Sequence, residues 1–283
     1  MAINWYPGHM HKAQKEIRKS LEKIDLVIEV LDARIPFSST NPMFNRLASS
    51  KPVIKLLNKA DLADPEILAA WRKHLEQSHG VKTLVTSTSK PDQLGQIAQL
   101  IRKLSPGRQR QSRIINALIG GIPNVGKSTI INRLAGKAIA KTGNEPAITR
   151  AQQPIKISND IILHDTPGVL WPKIENENSG YRLAITGAIR DTVTDVEDIA
   201  LFAADYLLDV YPNLLKQRHR LDELPADSVK LIEEIGRRRG ALGAGGIVDH
   251  EKAARMLIGD MRSGSMGGIC LEGPEQIQSE HDE

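Results

Sequence analysis

Apolar positions in the first 175 residues fall into short runs rich in β-branched side chains, separated by stretches with helical spacing. The runs Leu26 to Leu31, Val53 to Leu57, Lys82 to Thr86, Ile114 to Ile119, Pro154 to Ile157 and Ile161 to His164 read as strands. Helical stretches are expected at residues 10–23, 41–49, 65–78, 92–104 and 127–135, the third with Asp64 as N-cap before Pro65. This alternation predicts an α/β fold, a parallel-rich sheet with helices on both faces. Beyond Pro172 the strand pattern fades. Amphipathic helices are expected there, among them Asp195 to Val210, Asp227 to Arg239 and His250 to Arg262. The reading is an α/β domain over 1–175, an all-α domain over 176–272 and a polar, disordered tail over 273–283. Ser105 to Gln111, rich in Arg, Gln, Pro and Gly, reads as a linker within the first domain.

Composition excludes several classes. Of 283 residues, 40% are hydrophobic and 25% charged, which suits a globular chain and not a disordered one. No apolar run approaches the roughly 18 residues of a membrane span. Met1 to Trp5 carries no secretory pattern, so a cytoplasmic location is expected. The single cysteine, Cys270, can form neither an internal disulfide nor a cysteine-based zinc cage. The net charge of +4 hides a division. Residues 1–179 hold 26 Lys and Arg against 15 Asp and Glu, net +11, whereas 180–283 hold 12 against 19, net −7. A basic front half is compatible with a polyanionic partner, although any single charge run also reads as a solvated face.

Three motifs carry chemistry. Gly121-Ile-Pro-Asn-Val-Gly126-Lys127-Ser128 lies between a strand and a helix and matches the phosphate-loop pattern. Its backbone N–H groups, from Asn124 and Val125 through Gly126 to Thr129, would cradle phosphates. Lys127 would meet the β- and γ-phosphates, and the Ser128 hydroxyl would bind Mg²⁺. Asn58-Lys59-Ala60-Asp61, at a strand end, is a guanine reader. The Asp61 carboxylate can accept from both N1–H and the exocyclic amine of guanine, a donor pair that adenine lacks. Asn58 would serve the other edge of the base, and the Lys59 stem its face. Asp165-Thr-Pro-Gly168 fits the DxxG element, with Asp165 on Mg²⁺ through water and the Gly168 N–H on the γ-phosphate. Thr149 is the expected second hydroxyl ligand of Mg²⁺, with Thr142 competing. Thr86, Ser87 and Thr88 either offer a backbone N–H to guanine O6 or form an ordinary turn.

The order of these motifs departs from the Ras-like one, in which the phosphate loop comes first. Here the guanine reader precedes it, so a circularly permuted Ras-like GTPase domain is expected. The linker at Ser105 to Gln111 then joins the former termini, and the helical domain hangs on the second switch. With Trp5-Tyr6-Pro7-Gly8-His9-Met10, Asp32-Ala33-Arg34-Ile35-Pro36 and Gly267-Gly268-Ile269-Cys270-Leu271-Glu272, this order resembles the YlqF/RbgA family of ribosome biogenesis GTPases. The resemblance covers residues 3 to 272.

The resemblance implies GTP hydrolysis, a role in late assembly of the large ribosomal subunit, ribosomal RNA binding and stimulation by the particle. Val169 stands where many GTPases carry a water-orienting glutamine. The resemblance points to His9 for that task; a histidine that merely packs beside aromatics is the alternative. Asn124 resembles the asparagine that holds K⁺ against the phosphates in potassium-activated GTPases, or is a turn residue after Pro123. RNA contact is expected from Lys12, Lys15, Arg18, Lys19 and Lys23, from Arg108, Arg110 and Arg113, and from Lys216, Arg218, Arg220, Arg237, Arg238 and Arg239. A monomer is expected.

Overall fold

A computed structural model describes residues 21–42, 44, 51–87, 91–110, 113–140, 153–168, 170, 171, 174 and 176–282. Six strands form one sheet: β1 (Leu26–Asp32), β2 (Val53–Asn58), β3 (Val81–Val85), β4 (Ile115–Gly121), β5 (Gln153–Lys156) and β6 (Ile161–Asp165). Their order is β3-β2-β1-β4-β6-β5, and only β5 runs antiparallel to its neighbour. Counted from β4 as the first strand, the order becomes 2-3-1-4-5-6 reversed, the Ras-like arrangement of a permuted chain.

Position in the sheet explains strand composition. β1 is central, and all seven of its residues are buried, which suits a near-continuous apolar run. Glu29 interrupts that run and is accommodated by its register partner Lys55, 3.1 Å away, and by the Asn41 backbone N–H at 2.8 Å. β5 is an edge strand and carries Pro154, whose missing N–H is tolerated there. β4 ends in two glycines because the backbone is crowded: a Cβ on Gly120 would lie 2.0 Å from the Phe44 ring, and one on Gly121 2.5 Å from the Val30 carbonyl oxygen.

Helices α1 (Pro65–Leu75), α2 (Gly95–Leu104), a short α3 (Pro106–Arg110) and α4 (Lys127–Ala135) accompany the sheet. Asp64 caps α1 by accepting from the N–H groups of Glu66 and Ile67. The expected linker therefore contains a helical turn, and Arg108 within it pairs with Asp25 at 2.8 Å. Of the expected helix at 10–23 only a 3₁₀ turn at Leu21–Lys23 is described, and most of 41–49 lies outside the described residues.

Every named element after β6 is helical: α5 (Glu177–Ile185), α6 (Val196–Val210), α7 (Pro212–His219), α8 (Ser228–Arg239), α9 (His250–Ser263) and α10 (Pro274–Asp282). Asp195, Asp227 and Asp249 cap α6, α8 and α9, and glycines at 240 and 264 in left-handed conformation end the last two. Many buried apolar side chains of the sheet and of these helices form one continuous cluster, and a second gathers Leu31, Leu57, Ala63, Leu68 and Cys270.

The chain then returns to the sheet. Ile269 N–H donates to Leu62 O at 3.0 Å and Leu271 N–H to Arg34 O at 2.8 Å. The tail expected to be disordered is instead helix α10. The cause is Arg182 on α5, buried to 1% exposure, whose guanidinium donates to the Glu280 carboxylate at 2.5 and 3.0 Å and to Leu271 O at 2.9 Å. A buried guanidinium requires such partners, and the last helix supplies them. Among the described residues no helix is long and apolar enough to cross a membrane.

Candidate functional site

Parallel pairing aligns the strand ends. Asp32 is opposite Asn58, Leu57 opposite Val85, Val30 opposite Gly121 and Ile119 opposite Asp165. All the chemical motifs on described residues therefore emerge along one sheet edge, the carboxyl ends of the strands, where open α/β sheets bind ligands.

The phosphate loop runs from the end of β4 into α4. Asn124 (φ 58) and Gly126 (φ 94) both adopt left-handed backbone around Val125, and α4 starts at Lys127. Asparagine tolerates this region better than most side-chain-bearing residues. Such alternation turns successive N–H groups toward an anion. Lys127 is buried, and its ammonium is paired with the Asp165 carboxylate at the end of β6. The two groups assigned to phosphate and to Mg²⁺ thus face each other, and a bound nucleotide with its metal would come between them. Gly168 approaches the loop closely: a Cβ there would lie 3.2 Å from Pro123 Cα. Among the described residues no group of three or more His, Cys, Asp or Glu could cage a metal. Asp165 and Ser128 suit Mg²⁺, which takes one or two protein ligands beside phosphate oxygens and water.

The loop expected to read guanine is braced against the phosphate loop. Asn58 is fully buried; its Nδ2 donates to Val125 O at 2.7 Å, and its Oδ1 accepts from the Thr86 hydroxyl at 3.2 Å. This leaves one amide N–H for the edge of a base. Lys59 has left-handed backbone (φ 61), and its ammonium reaches Asp32 at 2.9 Å. Asp61 is exposed and accepts from the Ser87 hydroxyl at 2.6 Å. Two of the three expected donors to guanine O6 are otherwise engaged: Thr86 N–H donates to Leu57 O at 2.9 Å and Ser87 N–H to the Gln93 side chain at 3.1 Å, while Thr88 lies outside the described residues. Thr86 thus continues the strand ladder, as the expected strand Lys82 to Thr86 has it.

Asn124 is engaged as well. Its Nδ2 donates to Gly187 O at 2.7 Å, linking the phosphate loop to the turn after α5. Arg262 on α9 holds that turn through Ile185 O and Ala184 O, each at 2.8 Å.

Residues 116–235 match the family described as 50S ribosome-binding GTPase. Over 98% of its length the chain is 44% identical to ribosome biogenesis GTPase A of Priestia megaterium, covering 99% of that protein. It is 45% identical to the protein of the same name from Bacillus licheniformis, covering 98% of this chain and all of that one. The chain belongs to the ribosome biogenesis GTPase A family. The crystal structure of GNP-bound YlqF from T. maritima aligns with a TM-score of 0.62 at 26% identity, covering 94% of this chain and 99% of that one. The chain is thus a circularly permuted GTPase with a helical C-terminal region.

Within this member of the ribosome biogenesis GTPase A family, His9, Thr142, Thr149, Val169, Lys12, Lys15, Arg18 and Lys19 lie outside the described residues. The cationic cluster of the helical region is largely paired internally. Arg218 and Arg239 clamp the buried Asp260, each at 2.6 Å. Arg237 pairs with Glu233 at 2.7 Å, and Arg238 with Glu234 at 2.5 Å and Asp222 at 3.5 Å. Lys216 is partly exposed and Arg220 exposed. The cluster is therefore less positive than the sequence suggests. Asp32 and Arg34 are not evident as site residues in the sequence, because the partners Lys59 and Met261 lie far along the chain.

Proposed function

We propose that this GTPase acts as an assembly factor for the large ribosomal subunit, contacting ribosomal RNA and using GTP hydrolysis as a timing switch. The observation that carries the reading is the guanine reader, phosphate loop and Asp165 on one sheet edge, with Asn124 bonded to the helical region. Residues 1–175 form the nucleotide unit and 176–272 the ribosome-contacting one. Bound Mg²⁺ would neutralise charge that develops on the phosphates. Lys127 would move its charge from Asp165 to the β- and γ-phosphates, and Asp165 and Ser128 would hold the ion, with Thr149 joining them in the GTP state. His9 orients the attacking water in place of the glutamine that Val169 replaces. Asn124 would hold K⁺, which would supply further positive charge beside the phosphates. RNA contact falls on Lys12, Lys15, Arg18, Lys23 and Arg113 more than on the internally paired arginines. The protein works as a cytoplasmic monomer.

The test is GTP turnover with and without purified large subunits, in KCl and in NaCl, for wild type and His9→Ala. Stimulation by the particle that His9→Ala abolishes, with GTP affinity retained, supports the reading. Binding to the particle with no turnover would favour a GTP-gated binding module instead.

A further inference from the structure

The segment Asp32-Ala33-Arg34 has no part in the nucleotide chemistry described above, yet its carboxylate is built into the site. Asp32 ends β1 and is opposite Asn58. Its Oδ2 accepts from the Lys59 ammonium at 2.9 Å and from the Arg34 guanidinium at 2.8 Å; Oδ1 accepts from Arg34 Nε at 2.9 Å. The remaining guanidinium nitrogen donates to Met261 O on α9 at 3.1 Å. Asp32 and Arg34 are 1% and 2% exposed, whereas Lys59 keeps 21% of its side chain exposed. Burial by itself would raise the Asp32 pKa, but Arg34 and Lys59 more than reverse this and hold the carboxyl well below the usual range.

We propose that Asp32 is a positioning residue for guanine binding: it tethers the Lys59 ammonium so that the aliphatic stem stands as a fixed wall for the base beside Asp61. Arg34 locks the carboxylate and ties it to the helical region through Met261. The proposal rests on the guanine reading of Asn58-Lys59-Ala60-Asp61. An untethered lysine must be immobilised when the base arrives. A lysine already held by Asp32 has met that cost during folding, which is worth roughly 3- to 10-fold in affinity. A carboxylate suits the task because it accepts a two-pronged guanidinium on one side and an ammonium on the other; an asparagine at this position would offer only one acceptor oxygen.

The test is titration of a fluorescent GDP analogue into wild type, Asp32→Asn, Lys59→Met and the double variant, with urea unfolding of each. Asp32→Asn should weaken binding roughly 3- to 10-fold, and the double variant should bind no more weakly than Lys59→Met. Losses that multiply would overturn the proposal, because Asp32 would then act other than through Lys59. If Asp32→Asn does not fold, Lys59→Arg and Lys59→Met decide, since both leave the Asp32–Arg34 pair in place. The arginine, able to keep the tether, should bind at least roughly 3-fold tighter than the methionine; equal binding would overturn the proposal. A wild type that binds no guanine nucleotide would be seen before any variant, and would bring down the guanine reading and this proposal together.

Discussion

Replacing Asn58 by alanine removes the brace between the phosphate loop and the loop proposed to read guanine. The side chain is fully buried and joins β2 to the phosphate loop through Val125 O at 2.7 Å and to Thr86 through its hydroxyl at 3.2 Å. Alanine leaves a buried carbonyl and a buried hydroxyl without these partners. Each such group costs about 1–3 kcal/mol, offset in part because the amide need no longer be desolvated. The expected net loss is about 2–4 kcal/mol, or a fall in Tm of about 3–7 °C for a chain of this size. Urea unfolding without nucleotide measures the loss directly. Because the brace also sets the distance between base and phosphate sites, affinity for a fluorescent GDP analogue should fall about tenfold or more, equivalent to about 1.4 kcal/mol. Thr86→Val isolates one arm. Since Asn58 and Thr86 share a bond, the double variant should cost less than the sum of the singles by about 1 kcal/mol. Nucleotide-free stability within about 0.5 kcal/mol of wild type would refute the brace, as would strict additivity with Thr86→Val.

Three further outcomes follow from other sites. Glu272 is fully buried and accepts from the N–H groups of Phe37 and Ser38 at 2.5 and 2.9 Å, with Arg182 at 3.6 Å; Glu272→Ala should cost about 3 kcal/mol in urea unfolding, and a loss under about 1 kcal/mol would contradict this account. His219 is buried with neither ring nitrogen hydrogen-bonded, and burial pushes its pKa down to about 4, with Arg239 and Arg218 adding to the fall and Asp260 opposing it. An unfolded histidine titrates near 6.5, so the unfolded chain takes up the proton first. Stability should therefore decline as pH drops from about 6.5 towards 4, by on the order of 2 kcal/mol from this residue. His219→Leu should flatten that part of the profile, and an unchanged slope would exclude His219 as its source. Gly120→Ala places a methyl 2.0 Å from the buried Phe44 ring; a loss of about 1–3 kcal/mol is expected, with partial recovery in a Gly120→Ala, Phe44→Leu double variant measured by thermal unfolding.

Local chemistry determined much of this protein. Short apolar runs marked all six strands to within two residues; central β1 buries both faces and must be apolar throughout, whereas the edge strands β3 and β5 bury fewer positions. Aspartates at 64, 195 and 227 marked helix starts because their carboxylates satisfy N–H groups a few residues ahead, an interaction that needs no distant partner. The phosphate-loop pattern was legible for the same reason: its residues lie a few positions apart.

Tertiary structure decided what depends on residues far apart in the chain. The last helix looked solvated because its sequence is polar, and it is ordered by Arg182, some ninety-eight positions away, which needs Glu280 as a buried counter-charge. Arg218 and Arg239 read as available cations until Asp260 was placed between them. Asp32 and Glu29, two acids in one apolar run, became intelligible only when the sheet register set them beside Asn58 and Lys55. A charge in a sequence says nothing of its partner. Burial makes that partner obligatory, and only the fold brings the two together.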